Sequence, residues 1–141
     1  MASMFGYVSV PAFIVSSLVK FIVTTVWYSK PVFGTWAKRL AFGKRRRPKP
    51  SLQHLAVSVI GSIVSFSFFS TVLHVAKCQT PLDGALWGLA LGLFFDSGMN
   101  ASHCFFENRS FSLFLLHNGC HAVSLTTAGI VLALLCGSPS A

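Results

Sequence analysis

The sequence predicts an all-α protein, an integral membrane four-helix bundle with a short interfacial amphipathic helix between spans 1 and 2. Three observations predict it. Of 141 residues, 53% are hydrophobic and only 10% charged, with 14 phenylalanines, whereas soluble domains carry about 25% charged residues. Four apolar stretches each hold the ~20 residues that a helix needs to cross ~30 Å of hydrocarbon. The basic residues gather at one side of those stretches instead of spreading over a surface. A mean hydropathy of +0.68 also excludes a disordered chain, and the length suits one domain over residues 1–141.

The first span runs roughly Val8–Trp27, the second His54–Ala76, the third Leu82–His103 and the fourth Phe111–Leu135. None alternates with period two, which excludes a transmembrane barrel, and helices satisfy their own backbone in lipid. The connection 28–53 is not all loop. Phe33, Trp36 and Leu40 recur at spacings of three and four with Lys38 and Arg39 opposite. That pattern predicts a short helix lying in the interface, apolar face down. Trp27, Tyr28, Phe33 and Trp36 serve as aromatic anchors at the headgroup level. Pro48 and Pro50 end the interfacial element before the second span.

Four crossings put both termini on one side. The connection 28–53 holds Lys30, Lys38, Arg39, Lys44, Arg45, Arg46, Arg47 and Lys49, and the 107–110 turn adds Arg109. The terminal side has only Lys77, and Lys20 lies inside the first span. This asymmetry turns the two basic tips toward the cytoplasm or the mitochondrial matrix. The net charge of +8 thus reports orientation and not nucleic acid. Beside a membrane, the KRRRPKP run reads as a topology determinant touching anionic phospholipids, at about 1 kcal/mol per basic residue, ahead of a nuclear import signal. The first ten residues lack the basic start of a secretory signal, so the first apolar stretch reads as a retained anchor.

Small residues mark the packing faces. Gly84, Gly88 and Gly92 stand four apart in the third span, and Ser58, Ser62 and Ser65 with Gly61 do something similar in the second. In lipid such stripes let helix backbones approach closely. They are expected to hold the four helices together, with a dimer interface as the alternative. The cysteines at 78, 104, 120 and 136 show no paired spacing, so no disulfide framework follows.

Charged groups within a span need partners or a purpose. Lys20 and Asp96 both fall ~10–12 Å below the same surface, in the layer of His117 and His121. Asn100 and His103 share the face of Asp96. The first reading of these six residues is a buried polar network built on a Lys20–Asp96 pair. A proton or ion pathway comes second. A metal or haem site at His117 and His121 comes third, weakened by the neighbouring cation, and no metal ligand set is assigned. No nucleophile motif, phosphate loop or acid–base pair is present, so no catalytic residue and no cofactor is expected.

WYSKPVFGTWAK at the end of the first span, and NASHCFFENRSFSLFLLHNGCHAVSL across the third and fourth, resemble the family called domain of unknown function 1761. The resemblance rests on Trp27, Tyr28, Ser29, Phe33, Gly34, Trp36, Asn100, Phe106, Glu107, Asn118, Gly119 and His121 and covers roughly residues 8–135. It implies a small four-helix membrane protein and no activity. The chain departs from the family pattern at Lys20, Asp96, Lys30, His103 and His117.

The function expected from these readings is that of a non-catalytic accessory or scaffold subunit in a larger membrane complex. The mitochondrial inner membrane, with its respiratory chain or ATP synthase, is the first host to consider. Its expected partners are other membrane subunits and anionic lipid, with a homodimer as the other option and no nucleic acid. The alternative is a small homo-oligomeric transporter or channel whose pathway runs along Lys20, Asp96, His117 and His121.

Overall fold

Hydroxyl groups along the first apolar stretch bond back to their own helix. Ser16 donates to the Ala12 carbonyl at 2.8 Å and Thr24 to that of Lys20 at 2.9 Å, so these polar side chains fit inside an apolar helix. In the computed structural model, which describes residues 10–43, 52–107 and 109–136, this stretch forms α1, Val10–Trp27. The other elements are α2 (Thr35–Phe42), α3 (Leu52–Val75), α4 (Pro81–Ala90), α5 (Ser97–Phe106) and α6 (Phe111–Cys136). No strand occurs among the described residues.

Two π-helical turns join these elements into longer runs. The first, Lys30–Gly34, begins after Ser29 turns extended, with Pro31 in its opening turn where no amide donor is needed. It closes when the Gly34 amide reaches the Ser29 carbonyl at 2.8 Å. A side chain at Gly34 would collide with the Tyr28 and Ser29 carbonyl oxygens, so this turn requires glycine. Of the expected connection 28–53, Lys30–Phe42 is therefore helical. The second π turn, Leu91–Asp96, links α4 to α5. Its wider winding re-aims the side chains that follow it, a shift that uniform helical spacing does not anticipate.

Between α3 and α4 the chain reverses in five residues. Lys77 takes a left-handed conformation, with φ at 52°, and the Cys78 amide reaches the Leu73 carbonyl at 3.1 Å to close the C-terminus of α3. Helix α4 then starts on a capping box: the Thr80 hydroxyl accepts from the Asp83 amide, and the Asp83 carboxylate accepts from the Thr80 amide.

Helix α6 is the element on which the others pack. Gly84, Gly88 and Gly92 lie against Gly129, Leu125 and Ala122 in turn, which runs α4 antiparallel to α6 with backbones nearly touching. Helix α1 also runs antiparallel to α6, with Ala12 in one buried cluster with Ala128 and Leu132, and with the Trp27 ring beside Gly119. Helix α3 stands farther off and is held by large side chains: Phe66, Phe69 and Leu73 enter that cluster, and the Phe66 ring lies 5.3 Å from that of Phe13.

The second small-residue stripe turns at least partly away from the helix-packing face. Gly61 and Ser62 are exposed, and the space beside Gly61 is open; phenylalanines occupy the face of α3 that meets the other helices. The Ser58 side chain lies outside the described residues, as do the His103 side chain and Lys44, Arg45, Arg46, Arg47 and Lys49. Two helical runs, Val10–Ala41 and Phe111–Cys136, are long and apolar enough to cross a membrane, and Val59–Val75 is a shorter apolar helix.

Candidate functional site

The polar side chains converge where the end of α1 meets α5 and α6. Position 117 on α6 faces α1, and positions 118 and 121 face the run from Asp96 through α5. The Tyr28 hydroxyl is hydrogen bonded to Nδ1 of His117. Nδ2 of Asn100 donates to Oδ1 of the buried Asn118 at 3.3 Å. Nδ1 of His121 meets Oδ2 of Asp96 at 3.0 Å. Arg109 and Glu107 form an ion pair at the rim.

Two cavities flank this cluster. One, of about 250 Å³, is lined by Asn100, Glu107, Arg109, His117 and His121 and reaches the rim of the α5–α6 turn. The other, of about 360 Å³, is lined by Lys20, Asp96 and Ser65 among apolar side chains that include Val64, Phe68 and Phe95. His121 belongs to the first and Asp96 to the second, so their contact forms part of the partition between the two.

The expected Lys20–Asp96 pair is not formed. Neither carboxylate contact among the described residues, Arg109 with Glu107 or His121 with Asp96, involves Lys20, and the Lys20 ammonium instead lies 5.7 Å from the centre of the Phe66 ring, a cation–π distance. With α1 seated on α6, Lys20 and Asp96 face one cavity without touching, and His121 takes the carboxylate. Of the expected network, Asp96 and His121 contact each other, whereas Asn100 bonds Asn118, which the network did not include. His117 turns to Tyr28.

The aromatic anchors also take other roles. Phe33 packs against Trp27 at 4.7 Å and Trp36 at 6.1 Å between ring centres. Tyr28 is tied to α6, and the indole nitrogen of Trp27 is buried without a hydrogen-bond partner. Helix α2 lies against α6 with Ala37 buried, leaving Lys38 and Arg39 exposed and Trp36 45% exposed. No group of three or more metal-ligating side chains is placed to hold an ion among the described residues.

Reasoning from spacing missed Gly129, Asn118 and Tyr28 as the partners of Gly84, Asn100 and His117. A signal for the first was present, since Ala122, Gly129 and Ala133 recur at spacings of seven and four. Nothing local reveals the other two, because those pairs join residues 18 and 89 positions apart.

At the opposite end, a cavity of about 400 Å³ is lined by His74, Lys77, Cys78 and Cys136 among others. Burial first, and then the Asp83 carboxylate, push the Cys78 thiol above its ordinary pKa.

These features define a small all-α protein organised around one apolar helix, with its polar interior at one end. The chain belongs to the family of proteins of unknown function DUF1761, whose model matches residues 11–133. No curated protein and no solved structure matches it.

Proposed function

We propose that this chain is an integral membrane four-helix bundle without catalysis of its own, working as an accessory or scaffold subunit of a larger membrane assembly. The observation that carries the reading is the outer face of α3. Val57, Ile60, Ile63, Val64 and Phe68 are all exposed beside the open space at Gly61. An apolar surface of that extent needs lipid or protein cover, and a glycine on it admits another helix at close range. The exposed Lys30, Lys38, Arg39 and Arg109 support an orientation with the basic tips in the cytoplasm or matrix and the termini opposite. The basic 28–53 connection suits anionic phospholipids, and a mitochondrial inner-membrane complex is the first host to test. Carbonate washing followed by mild-detergent purification tests the proposal. A carbonate-resistant protein that elutes with stoichiometric membrane subunits supports it, and an isolated homodimer overturns the subunit role.

One observation favours a second reading, a homo-oligomeric proton or ion pathway. The His121–Asp96 contact stands between a polar cavity reaching the rim and a cavity holding Lys20, and acidic and imidazole groups are what intramembrane relays use. Flux into liposomes that Asp96→Asn abolishes, with the fold intact, would establish it; absence of flux from the reconstituted protein would dismiss it.

A further inference from the structure

The cavity between α3 and the Leu91–Asp96 turn combines features that a purely structural gap does not need. Val64, Phe68 and Phe95, which line it, are 64%, 56% and 55% exposed, so the cavity is a groove open at the protein's outer surface. The rings of Phe68 and Phe95 stack across it at 6.3 Å. The polar groups at its base are Lys20, Ser65 and Asp96. Asp96 is engaged by His121 at 3.0 Å, whereas Lys20 forms no ion pair among the described residues and rests over Phe66. A volume of about 360 Å³ falls within the range of small-ligand pockets, about 300–1,000 Å³, which are walled by apolar side chains and oriented by a few polar ones.

We propose that this groove binds a long-chain carboxylic acid, with the carboxylate on Lys20 and the hydrocarbon chain along Val64, Phe68 and Phe95. The proposal rests on the membrane reading above, since the groove would then open toward lipid. Charge complementarity selects the ligand. An ammonium in an apolar groove is stabilised by an anion that displaces water, and the Asp96 carboxylate on the same groove is turned to His121 at 3.0 Å and not to Lys20. A carboxyl group is also small enough, and when protonated neutral enough, to travel below the headgroup layer to the depth of Lys20. A phosphate diester head is larger and permanently charged.

Photolabelling of the purified full-length protein in mild detergent tests this, with a diazirine-bearing palmitic acid as the probe. The expected labels fall on peptides containing Val64, Phe68 or Phe95. Unlabelled palmitic acid should suppress labelling at least tenfold more effectively than methyl palmitate, which has the same chain and no charge. Lys20→Met should lose the labelling and Lys20→Arg should keep it. Val64→Trp, which fills the groove and leaves Lys20 in place, should also lose it. Equal competition by acid and ester overturns the proposal, as does wild-type labelling of Lys20→Met. If Lys20→Met fails to elute as a folded species, the ester comparison and Val64→Trp decide the matter. Carbonate extraction reports on the membrane reading independently, so a resistant protein that shows no acid preference sinks the ligand alone.

Discussion

Lys77 carries a φ of 52° in the turn that closes α3, a conformation in which a β-carbon crowds the neighbouring carbonyl and glycine does not. Lys77→Gly should therefore stabilise the protein by about 1 kcal/mol, read as a higher thermal midpoint in detergent. The hydroxyl of Tyr28 bonds His117 across helices, so Tyr28→Phe removes one interhelical bond and leaves a half-buried imidazole nitrogen without its partner. A loss of about 1 kcal/mol is expected, measurable in the same assay. Neither role follows from residue type alone. Lysine is an uncommon choice for a left-handed position, and a tyrosine beside a tryptophan at a span end reads first as an interfacial anchor.

At the scale of the element, glycines in two small-residue stripes meet two outcomes. Gly84 lies against the backbone of Gly129, with no room for a side chain, whereas nothing approaches the β-position of Gly61. Gly84→Leu should force α4 from α6 and cost about 3 kcal/mol, the upper end of overpacking. Gly61→Leu should leave the isolated protein unchanged or slightly steadier, because leucine is the better helix former. Comparing the two unfolding midpoints tests the assignment. If the Gly61 face docks another subunit, Gly61→Leu should also release that partner while sparing the fold. The π turn at Leu91–Asp96 belongs to the same scale. It delivers Asp96 to His121 and Asn100 to Asn118.

Across the whole molecule the antiparallel course of α1, α4 and α6 puts Cys78 and Cys136 beside one cavity, at the end away from Arg109. With four crossings, and with Cys104 and Cys120 replaced by serine, a membrane-impermeant maleimide should reach Cys78 and Cys136 from one face, and a cysteine introduced at Ser110 from the other. Cys78 should react more slowly than an ordinary thiol at neutral pH and catch up as the pH rises, because burial and Asp83 disfavour its thiolate. Labelling of Cys136 and Ser110→Cys from the same face would refute four crossings.

Composition, apolar run length and the Gly84–Gly88–Gly92 spacing by themselves determined an all-α chain and the glycine face of α4, because each is a local property of the helix. The resemblance carried by residues such as Trp27, Asn118 and His121 placed it in its family. Only the tertiary structure decided which polar groups meet. Lys20 and Asp96 line one cavity, yet a side-chain contact also depends on how each helix is rotated about its axis and which neighbour it packs on. Phenylalanines on α3, the π turn before α5 and the close seat of α4 on α6 set those rotations. They bring Asp96 to His121 and leave Lys20 facing the groove.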